Sequence, residues 1–143
     1  MFYTFFNTLV KGYLKYRHYR INTMYSNPVE TQLEVFSTLL DNLKNTEYGK
    51  EHKASSINNV SEYKKAFHIV DYEQLFPYID KMMKGEENIL WPGKVHWFAK
   101  SSGTTNDRSK YIPITDDNLF ENHVAASWDA MSILYSNRPD ARI

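Results

Sequence analysis

Only two stretches of this chain read as β-strand, and they flank a single loop. Val95 to Ala99 is β-prone and aromatic, and Tyr111-Ile112-Pro113-Ile114 is its counterpart. Between them runs Ser101-Ser102-Gly103-Thr104-Thr105-Asn106-Asp107-Arg108-Ser109-Lys110. With helical texture elsewhere, these strands allow a short antiparallel pair and no broad sheet. Pro113 cannot donate to a ladder, so its strand belongs at an edge or a bulge.

The loop has the chemistry of a polyphosphate cradle. Gly103 lets the backbone turn so that successive N–H groups converge on an anion. Ser101, Ser102, Thr104 and Thr105 add hydroxyl donors, and Lys110 adds a movable positive charge. The same residues are also ordinary turn chemistry, and taken alone the loop leaves both readings open. It is not a Walker loop, because Gly103 is followed five positions later by Arg108, and the loop leads into a strand. One glycine makes no dinucleotide fingerprint. No nucleophile elbow surrounds Ser101, Ser102 or Thr104, and no histidine–acid partner stands beside them. No catalytic residue is therefore assigned.

Upstream, residues 2 to about 25 predict a helix, with Phe2, Phe5, Phe6, Leu9, Tyr13, Leu14 and Ile21 on one broad apolar face. Within it, Lys11, Lys15, Arg17 and Arg20 alternate with Tyr13, Tyr16 and Tyr19, and no acid intervenes. That pattern suits an interfacial membrane helix or a nucleic-acid patch. It suits equally an amphipathic helix docked on a larger body with its basic side in water, the reading we favour. Lys+Arg and Asp+Glu both number 17, so the whole chain has no excess charge for a polyanion.

Asn27-Pro28 opens a second helix with Leu33, Phe36, Leu39, Leu40 and Leu43 as its buried face. Thr46-Glu47-Tyr48-Gly49 reads as a turn. Ser61 should cap a short helix through Phe67. Asp71 should cap another, which Pro77 breaks or restarts and Gly85 stops. After the strands, Thr115 caps a last helix with Phe120, Val124, Trp128, Met131 and Tyr135 as its apolar face.

These 143 residues, 42% apolar and without cysteine, suit a globular chain with no disulfide or thiolate chemistry, consistent with a cytoplasmic location. No run is long enough to span a membrane, and the first charge follows the N-terminal apolar stretch, the reverse of a secretory signal. His18, His52, His68, His96 and His123 lack ligand spacing, so no metal site is expected.

The run Phe98-Ala99-Lys100-Ser101-Ser102-Gly103-Thr104-Thr105, then Lys110-Tyr111-Ile112-Pro113, resembles the first nucleotide-binding motif of a known family. That family is the auxin-responsive acyl-acid amido synthetases, the Gretchen Hagen family of the adenylate-forming superfamily. Asn45-Thr46-Glu47-Tyr48-Gly49, Asp71-Tyr72-Glu73, Pro77-Tyr78-Ile79, Gly85-Glu86 and Ile89-Leu90-Trp91-Pro92 resemble its lead-in, in the same order. The likeness covers nearly the whole chain. Asp107 departs from the glycine often found there, and an acid beside polyphosphate must turn outward or face a magnesium ion.

The resemblance implies an α/β fold: a mainly helical fragment with a short antiparallel strand pair, the amino-terminal part of the large domain of an adenylate-forming enzyme. Residues 1–25 would be a helical extension, 26–88 a helical region, and 89–143 strand, phosphate loop, strand and helix. It implies a ligase that joins a small carboxylic acid to ATP as an acyl-adenylate, then transfers it to an amino acid. Ser101, Ser102, Gly103, Thr104, Thr105 and Lys110 would bind ATP with Mg2+. Members run to several hundred residues, so the chain is expected to be an amino-terminal fragment, bacterial in look and inactive alone. An acyl-coenzyme A ligase and a noncatalytic helical module for a membrane or protein partner are the alternatives. No nucleic acid and no stable membrane insertion are expected.

Overall fold

A computed structural model describes residues 2–102 and 109–138, with side chains from Phe5 onward. Among the described residues stand six α-helices and one strand pair, all but α3 in the expected order: α1 Phe2–Ser26, α2 Pro28–Lys44, α3 Glu47–Glu51, α4 Val60–Ala66, α5 Tyr72–Met83, β1 Trp97–Lys100, β2 Tyr111–Ile114 and α6 Ala125–Asn137. A π-helical segment, Asn118–Val124, leads into α6. The α/β, mainly helical reading holds. The described residues within 33–116 form one compact unit; those within 1–32 and 117–143 form another.

In the 33–116 unit, helix ends follow local chemistry. The Asp71 carboxylate accepts the Gln74 N–H and the Gln74 side chain accepts the Asp71 N–H, a complete capping box for α5. Gly85, at φ +89°, ends α5 while Glu86 N–H reaches back to the Lys81 carbonyl. Pro77 does not break α5, contrary to expectation. The capping box fixes the first turn, and buried Ile79 and Met82 hold the later turns against the core. The cap of α4 is Asn59, not Ser61: its side chain accepts the Glu62 N–H.

Thr46 to Gly49 is also not a turn. Thr46, fully buried, caps α3 by accepting the Gly49 N–H at 2.9 Å while its hydroxyl donates to the Leu43 carbonyl at 2.8 Å. Two hydrophobic clusters complete the unit. Leu40, Ala54, Ile57 and Phe67 form one, with Phe36 and Leu43 against it. Leu33 and Leu39, expected on the same face, are exposed because only one narrow stripe of α2 meets this cluster. Met82, Ile89 and Val95 form the other, with Phe98 of β1 packed on it.

Tyr78 links α5 to α3: its hydroxyl donates to Glu51 at 2.5 Å. That bond, with burial second, pushes the phenol up to about 12. A folded pKa above the ordinary 10 means that folding favours the protonated phenol. Its stabilisation is whole below pH 10 and disappears as pH rises towards about 12. In urea denaturation, the midpoint gap between wild type and Tyr78→Phe should close across that window.

In the other unit, α1 packs on α6. Arg17 pairs with Asp129 at 2.7 Å and donates to the Ala125 carbonyl at 3.2 Å. Tyr13 and Trp128 meet edge to face, and the Lys11 ammonium lies 5.7 Å from the Tyr135 ring. The helix is docked, but its basic side is not all in water, since Arg17 and Lys11 face α6 while Lys15 and Arg20 are exposed, and the expected apolar faces are not the buried ones. Leu14 is buried, whereas Phe5, Phe6 and Leu9 point to solvent, and Phe120, Val124 and Met131 are also exposed. The Arg17–Asp129 contact sets the rotation of α1, and Ser132, small and fully buried, lets the backbones approach. Phe2 lies outside the described side chains. Among the described residues no helix is long and apolar enough to cross a membrane.

Candidate functional site

The loop is built on its two ends. β1 and β2 pair antiparallel with Trp97 opposite Ile114, Phe98 opposite Pro113, Ala99 opposite Ile112 and Lys100 opposite Tyr111. Directly paired residues share a face. Phe98, Pro113 and Tyr111 therefore turn towards the protein, while Trp97, Ala99 and Ile112 form an exposed apolar face. The ladder continues one step past the strands. Ser101 N–H donates to the Lys110 carbonyl at 3.0 Å, and the Lys110 N–H donates to the Ser101 Oγ at 3.0 Å.

Ser101 thus closes the neck of the loop. Its hydroxyl oxygen replaces the carbonyl that a regular ladder would offer to Lys110, so the last cross-strand bond depends on a side chain. Ser101, Ser109 and Lys110 are half-buried, and Ser102 is exposed where the described chain leaves the neck. Of the residues expected to bind nucleotide, the structure brings Ser101 and Lys110 together and places Ser102 beside them. Gly103, Thr104 and Thr105 lie outside the described residues, as does Asp107.

Two lysines rise from this neck. Lys110 Nζ lies 5.5 Å from the Tyr72 ring centroid, and Lys100 Nζ lies 5.9 Å from that of Tyr111. No acid occurs in residues 97–102 or 109–114, so the described neck is purely cationic. Ammonium groups of this kind attract an anion. Among the described residues no group of three His, Asp or Glu side chains could hold a metal ion.

Sequence reasoning did not assign Tyr72 a role. Its hydroxyl accepts the Tyr111 N–H at 2.9 Å and donates to the Tyr111 carbonyl at 3.4 Å. It therefore ties the start of α5 to the start of β2 across 39 positions. The only signal was its place in the Asp71-Tyr72-Glu73 motif. A hollow of about 410 Å3 lies elsewhere, between α2 and the turn before α4. Its charged pair, Asp41 and Lys44, is satisfied internally at 2.8 Å, so it shows no comparable anion chemistry.

Comparison with known proteins adds to this geometry. Residues 17–141 match the model of the GH3 family N-terminal domain. Two plant relatives from Arabidopsis thaliana are similar over long stretches. One, provisionally named indole-3-acetic acid-amido synthetase GH3.9, is 30% identical over 95 residues, 66% of this chain and 16% of the relative. The other, indole-3-acetic acid-amido synthetase GH3.2, is 29% identical over 117 residues, 81% of this chain and 20% of the relative. The chain thus spans a fifth or less of the length of these curated relatives.

Proposed function

This chain belongs to the GH3 family, and on that premise we propose that it is the amino-terminal, phosphate-binding part of an ATP-dependent acyl-acid amido synthetase. The observation that carries the reading is the cationic neck. Ser101 and Lys110 join the two described ends of a hydroxyl-rich sequence at 3.0 Å, with the Lys110 ammonium 5.5 Å from the Tyr72 ring beside that neck. Backbone donors, hydroxyls and a lysine in one place suit the β- and γ-phosphates of ATP, the part that leaves as pyrophosphate.

In this reading Ser101, Ser102, Gly103, Thr104 and Thr105 hold those phosphates, and Lys110 offsets the negative charge that grows as pyrophosphate departs. A carboxylate oxygen of the acid attacks the α-phosphorus of ATP, the bond to the pyrophosphate oxygen breaks, and an acyl-adenylate forms. An amino acid amine then attacks the acyl carbon, AMP leaves, and the amine loses a proton as the amide forms. The loop contributes positioning and electrostatic stabilisation and needs no protein nucleophile. Both relatives are named as synthetases of indole-3-acetic acid amides, which supports a small carboxylic acid and an amino acid as substrates. On its own the chain would bind phosphate without turnover. We place the reaction in the cytoplasm, where ATP and amino acids are at hand.

The test is acid-dependent exchange of labelled pyrophosphate into ATP by the protein carrying this chain, with indole and aromatic acids as the panel. Exchange should appear with one of these acids and fall at least about tenfold in Ser102→Ala. Exchange that is unchanged in Ser102→Ala would remove the loop from the phosphate site. Thioester formation with coenzyme A in place of amide formation would shift the assignment to an acyl-coenzyme A ligase.

A further inference from the structure

We propose that Tyr72 is the positioning residue of the anion site, holding the loop's exit strand with its hydroxyl and the Lys110 ammonium with its ring. The proposal rests on the phosphate reading of the neck and names the part of the protein that prepares it. Three contacts converge on this one side chain. The phenol oxygen is 2.9 Å from the Tyr111 nitrogen and 3.4 Å from the Tyr111 carbonyl, while the ring centroid is 5.5 Å from Lys110 Nζ. Lys110 and Tyr111 are adjacent, so a single residue restrains the backbone on one side of the lysine and the charge at its tip.

The restraint matters because a lysine is a strongly hydrated charge on a four-carbon stem with many rotamers. An unrestrained lysine loses that freedom each time it meets phosphate, which weakens binding. A lysine already held over an aromatic face has less freedom to lose and keeps its charge. Tyr72 itself is well placed for this work. It is the first residue of α5, directly after the Asp71 cap, and the Asp71–Gln74 box fixes that turn. The ring is half-buried, and it packs 5.8 Å from Phe76 one turn later. Tyr72 therefore stands on a rigid element while the group it serves stands at the edge of a loop.

The experiment uses the 143-residue chain, inorganic pyrophosphate as the probe, and NMR. In the wild type, ring currents of Tyr72 should move the Lys110 side-chain protons upfield, and the Tyr111 amide should exchange slowly. Tyr72→Phe should keep the lysine shift and raise Tyr111 exchange about tenfold, because only the hydroxyl is lost. Tyr72→Leu should abolish the lysine shift and weaken pyrophosphate binding about fivefold. In the Lys110→Ala background, Tyr72→Leu should weaken binding no more than Tyr72→Phe does, a coupling of ring to ammonium that a merely structural residue would not show.

Unshifted Lys110 protons in the wild type, or independent effects of the two substitutions on binding, would overturn the role of Tyr72. If Tyr72→Leu does not fold, the wild-type lysine shift and the Tyr111 exchange in Tyr72→Phe still decide it. A wild-type chain with the shifted lysine but no affinity for pyrophosphate would instead overturn the phosphate reading, and Tyr72's service to that site with it.

Discussion

Gly49→Ala should destabilise the 33–116 unit by about 3 kcal/mol and lower its melting temperature by roughly 15 °C. A methyl group at this position would stand 1.8 Å from the Leu43 carbonyl oxygen and 2.6 Å from its carbon. Neither distance is tolerable, so the backbone must move. The Leu43 carbonyl cannot retreat cheaply, because it accepts both the Thr46 N–H at 3.0 Å and the Thr46 hydroxyl at 2.8 Å. Shifting it disturbs the cap of α3 and the fully buried Thr46 with it. Gly12→Ala is the control: nothing lies within 4 Å of its added methyl, and alanine is the better helix former, so stability should hold or rise slightly. Equilibrium denaturation of both variants checks the pair. A loss below about 1 kcal/mol at Gly49 would show that α3 is not packed as described.

Lys110→Ala should reduce acid-dependent pyrophosphate exchange by about a hundredfold, the scale of losing one preorganised group that meets developing charge. The effect should fall mainly on kcat, because charge on the departing pyrophosphate exceeds that in bound ATP. The fold should survive. The Lys110 side chain is half-buried at the neck, and the backbone bonds that join it to Ser101 do not require an ammonium. Steady-state kinetics with a folding control by circular dichroism separate the two. A rise in KM for ATP with unchanged kcat would assign Lys110 to uniform binding of the nucleotide.

What the sequence made legible was local. Asn27-Pro28, Asp71 and Gly85 carry their meaning in neighbouring residues, and α2 and α5 begin and end where those signals stand. The two strands were equally readable, since β-prone runs around a turn-rich loop pair in the simplest antiparallel way. What failed was tertiary. Thr46 to Gly49 looks like a turn, yet Gly49 sits inside α3, where Leu43 approaches too closely for any side chain. Pro77 looks like a break, but buried Ile79 and Met82 carry α5 past it. The face of α1 was misread because its rotation is set by Asp129, more than a hundred positions away.

The site divides in the same manner. Ser101, Ser102 and Lys110 were legible as candidates because hydroxyls, glycine and lysine cluster in sequence. Tyr72 was not, because what it binds is backbone at Tyr111, and a main-chain amide leaves no mark in the sequence.

The strand pair also dictates where a sheet could grow. Antiparallel ladders point alternate amides away from the partner strand, and in β2 these belong to Tyr111 and Pro113. Tyr111 has both polar groups engaged by a phenol, and Pro113 has no N–H to offer. The outer margin of β2 is therefore sealed against a third strand. A strand supplied by another polypeptide would therefore find no regular ladder to extend along β2.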